Sequence, residues 1–140
     1  MTRSVHIVLG GQPVGKARPR FTRQGQAYTP AKTKDYEHRL REIAKQEMQQ
    51  LKAEPTEMPC RVRILAQFEI PKSWPKYKQR DALTGEGNWR PGKPDIDNIA
   101  KAVLDALNGV AFKDDALVYK IEVEKRYGQP LLVATVMFDD

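Results

Sequence analysis

The chain has 140 residues, enough for one domain that buries roughly two-thirds of its unfolded surface. Its single cysteine, Cys60, excludes an internal disulfide framework, and the most apolar N-terminal stretch, residues 5–9, is too short for a signal peptide or a membrane span. The net charge of +6 is concentrated near the N-terminus, because positions 1–41 contain nine Lys and Arg but only two acidic residues. We therefore expect a cytoplasmic domain with no membrane partner, whose basic segment binds a polyanion such as nucleic acid or simply keeps the surface soluble.

The first half of the chain predicts a strand, a basic loop, a helix and a second strand. Residues 4–9 favour a strand that ends at Gly10, and residues 10–29 are too rich in Gly, Pro and Arg for a regular element. Over residues 30–52 apolar side chains recur at helical spacing, with Glu37 and Arg41 as an i,i+4 pair on the other side. Residues 60–70 alternate apolar and polar side chains, which is typical of a strand with one buried face.

The second half predicts a basic aromatic loop, a second helix and two strands. Residues 71–93 carry three prolines, three glycines and six basic residues, and loops of this length are usually functional or mobile. Helical spacing resumes from 97 to 108, and strands follow over 118–127 and 131–138, with a short connection that predicts a hairpin. These elements predict one α+β domain spanning residues 1–140, in the order βαβαββ, with two main helices on one face of a small mixed sheet.

A pair of aspartates opens the second predicted helix. In the stretch KPDIDNIAKAVLDALNG, residues 93–109, Asp95 and Asp97 are two apart and would face one side of an extended segment. Two facing carboxylates repel each other unless a hard cation such as Mg²⁺ lies between them. Asp is also a favoured helix N-cap, so Asp97 could cap its own helix without any metal.

Further charged residues follow at helical spacing and in the next turn. Lys101 and Asp105 would share a helix face with Asp97, either as a surface ladder of ion pairs or with the ammonium directed at a phosphate. Asp114 and Asp115 are adjacent in a turn, where aspartates commonly support the backbone. The sequence permits this turn to return to the start of the helix but does not require it.

Taken together, these residues resemble a known family. The stretch KPDIDNIAKAVLDALNG followed by FKDDALV is similar to the RusA-type Holliday-junction resolvases, and the N-terminal GKARPRFTRQGQAYTP looks like many phage and prophage members. The resemblance implies a Mg²⁺-dependent endodeoxyribonuclease, with Mn²⁺ as a substitute ion, that acts as a homodimer in DNA recombination and repair. Such an enzyme nicks two opposing strands of a four-way junction symmetrically.

The resemblance also assigns roles to residues of this chain. Three carboxylates become metal ligands and catalytic groups: Asp95, Asp97 and Asp115. Lys101 becomes the essential lysine, and Asp114 and Asp105 become candidates for an outer shell around the metal. Basic residues of the two loops would hold the DNA backbone, which positions the DNA without reading its sequence. These residues are Lys16, Arg18, Arg20, Arg23, Lys72, Lys76, Lys78 and Arg80.

Other interpretations of the same residues stay open. Trp74 and Trp89 in the second loop could wedge against bases at an open junction centre or pack over the edge of the sheet. A non-catalytic DNA-binding protein would use the basic N-terminal segment and keep the carboxylates as caps and surface pairs. A nuclease for flaps and other branched DNA would use the same site on a different substrate.

Overall fold

Four long strands form one mixed sheet in the computed structural model, which describes residues 2–84 and 88–139. In chain order the elements are β1 Thr2–Gly10, β2 Arg20–Phe21, β3 Ala27–Tyr28, α1 Ala31–Gln50, β4 Cys60–Phe68, α2 Lys76–Asp81, α3 Ile96–Leu107, β5 Val118–Tyr127 and β6 Leu131–Asp139. A single turn of 3₁₀-helix, Asp115–Leu117, leads into β5. The α+β class and the small mixed sheet are confirmed, and the predicted order reappears when the short elements are set aside.

The strands are arranged in the order β1, β6, β4, β5, so the predicted hairpin between β5 and β6 is wrong. β6 lies antiparallel to both β1 and β4, whereas β5 lies parallel to β4 at the edge. The connection from β5 to β6 crosses the end of β4, where the Gly128 N–H donates to the Phe68 carbonyl at 2.9 Å. A short connection gives a hairpin only when consecutive strands are neighbours, and here β4 lies between them.

The core lies between one face of the sheet and two helices. Along β4 every second side chain, from Cys60 to Phe68, is at most 2% exposed, as the alternation of the sequence predicts. α1 and α3 contact each other and bury apolar stripes that include Leu40, Ile99 and Leu107. None of the helices in the described ranges is both long and apolar enough to cross a bilayer.

Polar side chains of α1 hold α3 in place. Glu37 and Arg41 do not pair with each other as expected, since each binds a partner outside α1. The Arg41 guanidinium donates to the carbonyl oxygens of Asp105 at 3.0 Å and Asn108 at 3.2 Å. These carbonyls belong to the last turn of α3, whose acceptors have no partner within the helix, so a cation there stabilises the helix end.

Both predicted loops contain short elements that the sequence did not indicate. The basic loop, residues 10–29, includes the small β2–β3 ribbon. The basic aromatic loop, residues 71–93, includes α2, which begins after Pro75, while residues 85–87 of this loop lie outside the described residues. Two-residue strands and a six-residue helix are too short to produce a periodic pattern, which explains why both segments looked irregular.

Candidate active site

Asp95 and Asp97 lie at the start of α3, but neither side chain caps the helix. Asp95 occupies the N-cap position without a side-chain cap bond, and its carboxylate accepts a hydrogen bond from Lys93 Nζ at 2.9 Å. Asp97 lies within the first turn, so its expected role as the cap is wrong. Its exposed carboxylate makes no hydrogen bond or ion pair with any residue in the ranges 2–84 and 88–139. The Asp97 carboxylate is therefore available to bind a ligand. The dipole of α3 stabilises its negative charge, because the carboxylate lies at the N-terminal end of the helix.

Lys125 of β5 fastens the segment that leads into Asp95. Its ammonium donates to the carbonyl oxygen of Gly92 and, at 3.0 Å, to that of Pro94. Burial lowers the pKa of Lys125, the charges of Arg90 and Lys93 lower it further, and Asp95 acts in the opposite direction. The entry to α3 is thus bound to the edge strand of the sheet by a side chain that the sequence analysis did not single out.

The second and third turns of α3 carry Lys101 and Asp105, and the expected ladder of ion pairs along this face does not form. Lys101 is exposed and makes no ion pair with any residue in the described part of the chain. Asp105 instead contacts Lys16 of the basic loop, with 3.2 Å between its Oδ2 and Nζ. The same ammonium donates to Glu37 at 2.7 Å. Lys16 therefore links the basic loop to both α1 and α3.

The electrostatics of Lys16 follow from this position. Partial burial lowers the pKa of Lys16, but its hydrogen bonds to Glu37 and Asp105 and the charges of these two residues outweigh burial and raise it overall. The side chain is only 16% exposed. Lys16 was predicted to contact DNA, and that stays a prediction, but its charge already has two partners within the protein.

The basic loop lies directly against the first turns of α3. The Lys16 N–H donates to the Asn98 carbonyl at 2.8 Å. Gly15 approaches so closely that a Cβ there would be 2.6 Å from the Cβ of Pro94, which makes glycine necessary at this position. Arg18 and Lys101 line one small cavity of about 160 Å³ beside this contact. Two cations from distant parts of the sequence are thus neighbours at the start of α3.

The turn that contains Asp114 and Asp115 returns to the other end of α3. The Asp115 N–H donates to Asn108 Oδ1 at 3.1 Å, and Asp114 accepts a bond from the Ala116 N–H at 3.1 Å. That N–H lowers the pKa of Asp114. A hydrogen bond with Asp114 raises the pKa of Asp115, slight burial and the charge of Asp105 add to the rise, and Lys101 opposes it. The Asp115 carboxyl therefore lies within electrostatic range of the second and third turns of α3.

The acidic residues are distributed along α3 instead of forming one cluster. Asp95 occupies the N-cap position of α3, and the Asp115 N–H donates to Asn108 at the C-cap position, so opposite ends of a twelve-residue helix about 18 Å long place the two residues. Among residues 2–84 and 88–139, no group of three or more Asp, Glu, His or Cys is arranged to hold a metal ion. Exposed carboxylates still suit Mg²⁺, which takes one or two of them and completes its shell with water and phosphate oxygens.

The family model for endodeoxyribonuclease RusA matches residues 10–137. The chain belongs to the RusA family. The match begins at the first residue of the basic loop and extends through α3 and the Asp114–Asp115 turn to β6, so it covers every part of the site described above. A protein of Bacillus subtilis (strain 168) named "Uncharacterized protein YqaN" is 34% identical in a 130-residue alignment, and the match covers 89% of this chain and 89% of that protein. The resemblance recognised in the sequence is confirmed, and RusA membership makes the protein an endodeoxyribonuclease.

The basic residues that were predicted to bind DNA occupy different environments in this RusA-family chain. Lys16 is partly buried, whereas the others are exposed on the basic loop or on and beside α2: Arg18, Arg20, Arg23, Lys72, Lys76, Lys78 and Arg80. Lys78 Nζ lies 4.0 Å from the centroid of the Trp74 ring. Trp74 also packs edge-on against Tyr127 at 5.3 Å between centroids, whereas Trp89 is 50% exposed. DNA contacts by the basic residues stay predictions. Of the two tryptophans, Trp74 packs against an aromatic ring and Trp89 is half exposed.

Proposed function

We propose that this RusA-family endodeoxyribonuclease resolves four-way DNA junctions by paired symmetric nicks, with Mg²⁺ as its cofactor and Mn²⁺ as a substitute ion. The observation that carries the proposal is the meeting of three features at α3. The exposed Asp97 and Lys101 lie one turn apart, the basic loop packs against the same helix through Gly15 and Lys16, and Asp115 lies within electrostatic range of Lys101. Carboxylates that hold a cation can activate water for phosphodiester hydrolysis, and nearby lysine and arginine side chains can bind the phosphates.

Asp95, Asp97 and Asp115 would hold the metal. Because these carboxylates are spread along α3, we infer that one or two of them bind the ion in the free protein and that a DNA phosphate completes its shell. Bound Mg²⁺ supplies a Lewis acid that polarises the scissile phosphate and lowers the pKa of the attacking water. Asp114 and Asp105 would act from the outer shell, where each already has a partner of its own, Ala116 N–H and Lys16 respectively.

Lys101 would stabilise the phosphate in the transition state. Its ammonium is exposed and has no counter-ion in the described part of the chain, so it can contact a phosphate oxygen without first breaking an ion pair. Arg18 lines the same cavity and would bind the neighbouring phosphate. A donor that is already positioned where negative charge increases is worth more to the rate than one that must be reoriented.

The expected homodimer follows from the substrate. A four-way junction has approximate two-fold symmetry, and two coordinated nicks require two copies of the site related by that symmetry. The branched DNA of recombination and repair is the partner, and we place the protein in the cytoplasm because that is where a bacterial or phage substrate of this kind occurs. Light scattering at micromolar concentration should give the mass of a dimer, and a monomer would contradict paired cutting by a stable dimer.

Cleavage of a synthetic junction tests the proposal. With Mg²⁺ the protein should convert a labelled four-way junction into two nicked duplexes, and without a divalent ion it should bind the junction uncut. Asp97→Asn should retain junction binding and lose cleavage, because the amide keeps the shape of the side chain but removes the charge that holds the ion. Asp35→Asn, the same change at an exposed position on α1, is the matched control and should cut like the parent.

Other outcomes would favour the alternatives. Equal binding with and without metal and no nicking of any substrate would indicate a non-catalytic DNA-binding protein. Preferential cutting of forks or flaps, in a panel that includes the junction and a linear duplex, would indicate a nuclease for other branched DNA. If Asp97→Asn cuts like the parent, the assignment of Asp97 to the metal is wrong.

A further inference from the structure

A large open cavity lies beside the start of α3 and has no role in the site described so far. It has a volume of about 540 Å³, which is within the usual size of small-molecule sites. Its lining is mostly apolar and consists of Trp89, Arg90, Pro91, Ile96, Val123, Glu124 and Lys125. Ile96 separates Asp95 from Asp97 in the sequence and is 47% exposed. The cavity and the aspartates are therefore carried by the same turn of α3.

Trp89 is held in a fixed position at the edge of this cavity. It forms a backbone bridge with Arg126, and the next residue, Arg90, donates its N–H to the Lys125 carbonyl at 3.0 Å. The Arg126 guanidinium carbon lies 4.8 Å from the centroid of the Trp89 ring. Arg126 is fixed in turn by Glu124, with 2.8 Å between Nη2 and Oε2. An aromatic ring that is half exposed but backed by a cation and a strand is a prepared surface for stacking.

The charges around the cavity indicate what binds there. Four cations lie in or next to the lining of the cavity: Arg90 and Lys125 belong to it, Arg126 stacks on the Trp89 ring, and Lys93 precedes the entry to α3. Among the described residues, Glu124 pairs with Arg126 and Asp95 with Lys93, so the excess positive charge at the apolar lining comes from Arg90 and Lys125. A planar apolar group attached to an anionic chain matches both properties. A nucleobase of a DNA strand is such a group, since every base offers a flat face for stacking whatever its identity.

We propose that the cavity formed by Trp89, Ile96 and Val123 binds one unstacked nucleobase of the strand that is cut. The proposal rests on the proposed function, since it assumes that a DNA phosphate lies at Asp97 and Lys101. Bases inside an intact duplex are not accessible to such a cavity, whereas those at the centre of a junction or in a single strand are. The cavity therefore favours DNA with an open centre and orients the strand toward the carboxylates.

The two tryptophans of the chain make the test direct. The Trp74→Phe variant retains Trp89 as its single tryptophan, and Trp89→Phe retains Trp74, which packs against Tyr127. In the absence of divalent ions, a four-way junction or a short single strand should quench the emission of the Trp74→Phe protein. A blunt duplex of the same length should not, and the Trp89→Phe protein should respond to none of the three. Trp89→Ala should weaken junction binding about tenfold and leave duplex binding unchanged.

The possible results separate this proposal from the proposed function. If labelled junction binds, as measured by anisotropy, and the emission of Trp89 is unchanged, the base site is refuted while the resolvase function stands. Emission that changes with protein concentration and not with DNA would show that a second copy of the chain covers the cavity, which also refutes it. Quenching by single strands, together with cleavage of forks or flaps but not of junctions, would support the base site and refute the resolvase function. Failure to bind any DNA would refute both.

Discussion

Replacing Lys125 with methionine tests whether the contact between β5 and the entry of α3 controls catalysis. Methionine keeps the unbranched stem but cannot donate to the Gly92 and Pro94 carbonyls that Lys125 binds. Hydrogen bonds from charged donors contribute roughly 1.5–3 kcal/mol each when buried. Lys125 is only partly buried and water can replace it at both carbonyls, so we expect a loss of about 1–2 kcal/mol in the free energy of unfolding.

The effect on cleavage should be larger than the effect on stability. Asp95 follows Pro94 directly, and a displacement of about 1 Å in a catalytic group can reduce a rate about 100-fold. We expect single-turnover cleavage of a four-way junction, measured with protein at saturating concentration, to fall between about tenfold and 100-fold in Lys125→Met. The matched control is Lys120→Met, which removes the same charge from an exposed position on β5 that faces Glu122 at 3.6 Å. Cleavage by Lys125→Met at the rate of the Lys120→Met control would refute the reasoning.

Two further predictions concern the contact between the basic loop and α3. Lys16→Met should lower the free energy of unfolding by about 1–2 kcal/mol at pH 8, because it leaves Glu37 and Asp105 without their partner. The pKa of Lys16 is raised above its ordinary 10.5 in the folded protein, so this difference, measured by urea unfolding, should persist up to pH 10.5 and vanish as the pH rises through the folded value. Gly15→Ala should destabilise the protein by about 1–3 kcal/mol and reduce cleavage, because its Cβ would lie 2.6 Å from Pro94 Cβ. Gly10→Ala, which meets nothing within 4 Å, is its control, and equal stability of the two variants would contradict the close approach.

The long elements of the fold could be predicted from the sequence because each is an extended run of one period. The helical spacing of residues 97–108 and the strand at 118–127 match α3 and β5 to within one residue. The pairing of β5 and β6 could not be predicted in this way. Alternation shows that a segment is a strand with one buried face, but it does not show which strand lies next to it. In this sheet β4 lies between β5 and β6, although only three residues connect these two strands in the sequence.

Part of the candidate site could be predicted from the sequence, but for a different reason than the long elements of the fold. Asp95, Asp97 and Lys101 lie close together in the sequence, so their relation follows from helix geometry alone. Lys125 was missed because its contacts depend on where α3 meets β5. One signal was present, since Lys125 shares its side of the strand with Val123, which packs against the core, and a lysine at such a position needs acceptors for its charge. The pairing of Lys16 with Asp105 left no comparable trace in the sequence.

In the proposed reaction, the contacts of α3 would connect DNA binding to catalysis. The basic loop reaches the helix through Gly15 and Lys16, β5 reaches its entry through Lys125, and the Asp115 turn reaches its end through Asn108. Each contact fixes a group that the proposed reaction uses, and all of them depend on the position of one helix. A strand of DNA that moves the basic loop relative to α3 would therefore also move Lys16 and Arg18 relative to Lys101 and the carboxylates of the helix. Because those carboxylates are spread along the helix, we infer that the phosphate of the substrate would supply the ligands that complete the proposed metal site.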